Sequence, residues 1–136
     1  QGNNLALPFV IAAGLPNNKL YNKITASGYL YHHLNGAALK DKIINAEYII
    51  CRGGYTTLME LIPFRKKLIF IPTPGQTEQE YLGLYWQEKK WAISFSQSTF
   101  NLKTALQLAA NFDYQVPPFI EFSNEALATE LKRLSL

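Results

Sequence analysis

An α/β domain, a parallel sheet with helices on both faces, is what this sequence predicts, and three observations carry the prediction. Short apolar runs alternate with segments whose apolar residues recur at helical spacing. The runs are apolar almost throughout, where a strand wetted on one side would alternate, so the strands are expected to be buried on both faces as parallel strands are. Gly and Pro fall at the ends of these runs, where the chain has to turn.

Phe9-Val10-Ile11-Ala12-Ala13 ends at Gly14 and reads as a first strand; Tyr29 to Leu34 reads as a second, ending at Asn35-Gly36. From Ala37 to Ala46, residues Leu39, Ile43 and Ile44 share one helical face, with Asn35 placed to cap it. Glu47 to Cys51 is a short strand broken by Gly53-Gly54, and Leu58, Leu61 and Ile62 then mark a helix that Pro63 is expected to stop. Lys67 to Ile71 is the next strand, closed by Pro72-Thr73-Pro74-Gly75. Thr77 and Glu80 have capping-box spacing ahead of a helix with the apolar stripe Tyr81, Leu82, Tyr85 and Trp86. Trp91 to Phe95 reads as a last strand. Leu102, Ala105, Leu106 and Ala109 form a further helix face, and a final helix over about residues 123–135 follows the Pro117-Pro118 linker.

At 136 residues the chain suits one domain, 1–136, and is too short for two ordinary ones. A hydrophobic fraction of 48% against 17% charged excludes a disordered chain. Thirteen Lys plus Arg against ten Asp plus Glu leave a net +3, spread evenly, which is too mild to argue for nucleic acid. No apolar run nears the roughly 20 residues that span a bilayer. A single cysteine, Cys51, excludes an internal disulfide and a cysteine-based zinc cage and fits a reducing, cytoplasmic setting. Gln1 is not a start methionine, and residues 1–4 are neither a signal peptide nor a tag, so a fragment of a longer protein is expected.

In an open parallel sheet, ligands bind where strands lead into helices, and two such loops carry chemistry. In Cys51-Arg52-Gly53-Gly54-Tyr55-Thr56-Thr57 a strand runs through two glycines directly into a helix. Glycines admit a ligand close to the peptide N–H groups, the first-turn N–H groups lack intrahelical partners, and the helix dipole adds partial positive charge. With the Thr56 and Thr57 hydroxyls this is a phosphate site that needs no lysine. Glu60 would repel phosphate unless it serves something beside it, and vicinal ribose hydroxyls suit a carboxylate. The competing reading is a tight βα turn with Glu60 solvated. The second loop, Pro72 to Tyr81, sets Gln76, Gln79 and Glu80 near another helix start, and side chains that donate and accept suit sugar hydroxyls. There the competing reading is that Thr77 and Glu80 only cap the helix.

These two loops together, Ala46 to Gly83, resemble the C-terminal donor-binding domain of glycosyltransferase family 28, a family that includes the N-acetylglucosaminyltransferase making peptidoglycan lipid II. The likeness is specific over this core and looser from about Phe9 to Asn111. It implies a Rossmann-like sheet forming the C-terminal half of a GT-B fold, with the active site in the cleft between two domains. It also implies an inverting hexosyl or N-acetylhexosaminyl transfer from a UDP-sugar to an acceptor hydroxyl, with no metal and no cofactor. Gly53, Gly54, Tyr55, Thr56 and Thr57 would line the diphosphate and Glu60 would hold the ribose. Gln76, Gln79 and Glu80 would face the donor sugar, although the family carries Gln where this chain has Glu80. Leu34 and Asn35 would lie beside the uracil. The acceptor-binding N-terminal domain with the general base, and the strand and glycine-rich loop that open the family's C-terminal domain, are expected to precede this chain, which alone is expected to be inactive. Nucleic acid is not an expected partner, and peripheral membrane contact through the full-length enzyme is left open. A UDP-sugar hydrolase or epimerase and a non-catalytic donor-binding subunit docking on a separate chain are the alternatives.

Other residues read more simply. Adjacent strand residues point to opposite faces, so His32 and His33 cannot chelate together and a local structural role is expected. Cys51 reads as a small buried hydrophobe. Arg52 stands evenly between a phosphate contact and an exposed flank. Arg65-Lys66-Lys67 reads as a solvated connector, and Tyr81, Tyr85, Trp86 and Trp91 as core packing.

Overall fold

The computed structural model describes residues 9–12, 23–25, 28–31, 35–52, 54–117 and 132–133. Its centre is a three-stranded parallel sheet, β4 (Tyr48–Cys51), β5 (Lys67–Phe70) and β6 (Ala92–Ser94), in the spatial order β4-β5-β6. Tyr48 lies opposite Lys67 and Leu68 opposite Ala92, so β5 is paired on both edges. Helix α2 (Tyr55–Leu61) joins β4 to β5, and α3 (Thr77–Glu88) joins β5 to β6. Sequential parallel strands joined by helices of one hand place those helices on one face.

The period-2 alternation of β5 sorts the core into two layers. Leu68 and Phe70 face Leu58, Leu61 and Ile62 after β4 and Leu82 and Trp86 of α3. Ile69 faces the other way, with Ile93, onto Ala109 of α4 (Leu102–Ala110) and the half-buried Phe95, Phe100, Phe112 and Tyr114. Helices therefore cover both faces of this sheet, the α/β Rossmann-like arrangement expected from the continuous apolar strands. The Tyr114 hydroxyl donates to the Leu68 carbonyl at 3.1 Å and pins the α4 side to the middle strand. Burial, reinforced by neighbouring Tyr48, pushes its phenol well above the ordinary tyrosine range.

A second sheet holds β1 (Phe9–Ala12), β2 (Lys23–Thr25) and β3 (Gly28–Tyr31) in the order β1-β3-β2, with β1 parallel and β2 antiparallel to β3. The short antiparallel β2 had no signal in the apolar pattern. Burial on both faces does not hold for β1, whose Phe9, Val10 and Ile11 are exposed. Helix α1 (Gly36–Asn45) begins where Asn35 Oδ1 accepts from the Ala38 N–H at 2.8 Å, the expected cap. Only the edge of its apolar face reaches the core: Ile43 packs against it, while Leu39 and Ile44 stay exposed.

As expected, α2 ends ahead of Pro63, at Leu61, and the chain tightens into a 3-10 turn, Ile62–Phe64, in which proline needs no donor. Two local expectations are corrected. Lys66 is not simply solvated; its ammonium donates to the Ile44 carbonyl at 2.6 Å and ties the end of α1 to the connector before β5. Tyr81 stands in solvent, stacked 6.1 Å from the exposed Tyr85, because the buried face of α3 is Leu82, Gly83 and Trp86. Of the final helix, Lys132 and Arg133 are helical and the remainder lies outside the described residues. His32 and His33 lie outside them as well.

Candidate functional site

Because β4 and β5 run parallel, their C-terminal ends open the α2 and α3 loops side by side on one edge of the sheet. The loop after β4 is short. Cys51 ends the strand, its carbonyl accepting from the Ile71 N–H at 3.0 Å, and Arg52 is exposed. Gly54 is the N-cap of α2 in an extended conformation, and without a side chain it supplies no capping hydrogen bond. The first turn of α2 thus presents Tyr55, Thr56 and Thr57 with backbone donors that their own segment does not satisfy. Thr56 is exposed and Thr57 half-buried. Gly53 and Leu34 lie outside the described residues.

One turn further on, Glu60 is exposed and, among the described residues, pairs with no cation. It stands with Thr57 on one wall of a cleft of about 240 Å³ whose opposite wall is α1, through Gly36, Leu39, Lys40 and Ile43. The α1 side brings Leu39 and Ile43 with the cation Lys40, and the other side a carboxylate and a hydroxyl with Leu61 and Phe64, the mixed lining that small-molecule sites use. Asn35 is at the start of α1, but its carboxamide oxygen is engaged in the cap.

The loop after β5 differs. Gly75 takes φ of +80°, which lets the chain turn back into α3 at low steric cost. Gln76 is the N-cap, exposed and without a side-chain cap bond, and Thr77 is the first helical residue. The capping box expected of Thr77 and Glu80 is therefore not formed. Glu80 instead reaches back to accept from the Gly75 N–H at 3.1 Å, and Gln79 Oε1 accepts from the Thr73 N–H at 2.9 Å. Both residues brace the loop that precedes their helix, which engages the Gln79 carboxamide oxygen and one Glu80 carboxylate oxygen.

The two loops meet through a residue the sequence pattern did not single out. Glu78 Oε1, from the first turn of α3, accepts from the Tyr55 N–H at 3.2 Å. Lys40 on the cleft wall was likewise missed. Both were signalled only by topology: adjacent parallel strands bring the next helix start beside the first, and α1 packs beside α2.

Cys51 is buried enough that its thiol is pushed up to about 11, so it is neutral and unsuited to nucleophilic work, in keeping with a small core residue. Among the described residues no three His, Cys, Asp or Glu side chains gather as a metal site would require. No helix among them is long and apolar enough to cross a membrane.

A parallel sheet with helices on both faces places the domain in the α/β, Rossmann-like class. Residues 15–115 match the model of the glycosyltransferase family 28 C-terminal domain, and the chain belongs to that family. Membership gives the domain a donor-binding role in glycosyl transfer. Searches of curated proteins and of solved structures found no match.

Proposed function

We propose that this domain binds the donor of an inverting glycosyl transfer as a UDP-sugar, in the cleft between α1 and α2 and along the start of α2. The observation that carries the reading is the cleft itself, which sets Glu60 and Thr57 opposite Leu39, Lys40 and Ile43 of α1, one turn from the uncapped helix start. A nucleoside diphosphate has the matching sequence of parts. Glu60 accepts hydrogen bonds from the ribose hydroxyls, and the base lies toward α1, with Leu34 and Asn35 beside it. The diphosphate meets the N–H groups and hydroxyls of Gly53, Gly54, Tyr55, Thr56 and Thr57. Gln76, Gln79 and Glu80 border the donor sugar, Gln79 through its amide nitrogen.

The chemistry follows from that placement. An acceptor hydroxyl attacks the anomeric carbon from the face opposite UDP, the bond from that carbon to the phosphate oxygen breaks, and the electron pair leaves on UDP. The hydroxyl proton passes to a base contributed by an acceptor-binding domain. The first turn of α2 stabilises the charge that grows on the departing diphosphate, an effect strongest when the donors are already oriented.

Calorimetric titration with UDP, UDP-N-acetylglucosamine and ADP tests the reading. The uridine nucleotides are expected to bind and ADP is not. Glu60→Ala is expected to weaken UDP about 10- to 100-fold, the loss of charged hydrogen bonds of about 1.5–3 kcal/mol. Equal binding of ADP and UDP, or a Glu60→Ala variant that binds as the parent does, would overturn it.

A further inference from the structure

Two opposite charges line the cleft between α1 and α2 without meeting. Lys40, in the second turn of α1, and Glu60, in the last turn of α2, stand on its two sides, and both are exposed. Neither has an ion-pair partner among the described residues, so the ammonium and the carboxylate are not joined across the cleft. Leu39 and Ile43 share the wall of Lys40, and the half-buried Phe64 lines the other side. The walls are tied to each other outside the cleft, where the Lys66 ammonium, two residues after Phe64, donates to the Ile44 carbonyl at 2.6 Å. At about 240 Å³ the cleft takes one end of a sugar nucleotide, since pockets that enclose a drug-sized ligand run to about 300–1,000 Å³.

We propose that Lys40 reads the base of the donor nucleotide, donating from its ammonium to the O4 carbonyl of uracil while Glu60 holds the ribose on the opposite wall. The proposal rests on the reading of this cleft as the nucleoside end of the donor site. An ammonium donates and does not accept. Uracil, like thymine, presents a carbonyl oxygen where cytosine carries an amino group, and adenine too offers an amino donor. Against an amino group the ammonium meets a second donor and gives up its hydrogen bonds to water for nothing, a mismatch that a polar site rejects strongly. Glu60 makes no such distinction, because the ribose is the same in all three nucleotides. The apolar surface of Leu39, Ile43 and Phe64 suits the faces of any base, so the choice among bases falls to Lys40.

The discriminating experiment titrates the chain and its Lys40→Met and Lys40→Gln variants calorimetrically with UDP and with CDP. Circular dichroism melts confirm that each variant is folded. The parent is expected to prefer UDP over CDP by about tenfold or more, the worth of one charged hydrogen bond. Lys40→Met keeps the stem and removes the donor, and is expected to bind UDP about tenfold more weakly while CDP is unchanged. Lys40→Gln, which both donates and accepts, is expected to bring the two affinities close together. An equal loss of UDP and CDP would put the ammonium on the diphosphate and overturn its role at the base. Variants that keep the parent's preference for UDP, while the parent binds UDP in a Glu60-dependent way, overturn that role and leave the donor site standing. A parent that binds neither nucleotide overturns the site and the base-reading residue together.

Discussion

The loops after β4 and β5 leave neighbouring parallel strands at the same edge of one sheet, and both enter helices through glycine, yet they handle their backbone donors in opposite ways. The loop after β5 is self-sufficient: Gln79 and Glu80 fold back onto the Thr73 and Gly75 N–H groups, and two prolines stiffen it. The loop after β4 has no such brace among the described residues. Its N-cap is a glycine, its hydroxyls stand at the surface or half-buried, and its first donor is met by a side chain borrowed from the other loop. A segment that satisfies its own polar groups is a scaffold, whereas one that leaves donors open is where a ligand gains most from binding. That difference is why the proposed reading gives the phosphate to the first loop and a bordering role to the second.

The largest effect expected on this comparison comes from Gly83, in the middle of α3. A Cβ there would stand 2.6 Å from Ser94 Oγ and 2.9 Å from Pro72 Cγ, closer than side chains tolerate. Glycine costs helix propensity but lets α3 lie against β6 and the second loop. Gly83→Ala is expected to destabilise the domain by about 1–3 kcal/mol through overpacking, and to lower its melting midpoint by several degrees. An unchanged melt would show that α3 does not bear on Pro72 and that the second loop owes its rigidity to its own hydrogen bonds alone.

How much of this was legible in the sequence follows from what each signal depends on. Strands β4, β5 and β6 and helices α1 to α4 were visible because their apolar residues repeat locally, and Asn35 because a cap is a local event. The start of α2 was legible for the same reason, since Gly54 followed by Tyr55, Thr56 and Thr57 is a contiguous pattern. Glu78 was not, because its partner is 23 residues away and only the pairing of β4 with β5 brings them together. The role of Gln79 and Glu80 was half legible: side chains fit to grip a sugar hydroxyl are equally fit to grip a peptide N–H, and a backbone donor nearby reaches them first. Tyr81 misled for a related reason. An apolar residue at helical spacing marks a face, but Gly83 and Trp86 decide which face is buried.

A smaller effect is expected from the brace itself. Gln79→Ala leaves the half-buried Thr73 N–H without its acceptor and is expected to cost about 1 kcal/mol in the absence of ligand. Glu80→Ala removes an exposed bond to Gly75 and is expected to cost less. Hydrogen exchange at Thr73 reports the brace directly: it should quicken in Gln79→Ala while the amide of Leu58, in the turn after the first loop, keeps its rate. UDP affinity should change little in either variant. A Gln79→Ala domain as stable as the parent, with Thr73 still protected, would mean that the two loops are not organised differently after all.

The smallest effect at neutral pH comes from Cys51, the last strand residue before the open loop. Its thiol is raised from about 9 to about 11 because burial disfavours the thiolate, so the group is more easily ionised in the unfolded chain than in the folded one. The stability it contributes is complete below the unfolded value near 9 and is lost as pH rises through the folded value near 11. Tyr114, also raised, acts in the same direction at still higher pH. Stability should thus be flat in this respect around pH 7 and fall on the alkaline side, with Cys51→Ala removing the part of the fall that begins near pH 9. At pH 8, alkylation of Cys51 by iodoacetamide should be on the order of 100-fold slower than for the denatured chain, from the smaller thiolate fraction alone. Alkylation at the denatured rate would place the thiol in solvent and make the end of β4 as open as the loop that follows it, extending the unbraced region back into the sheet.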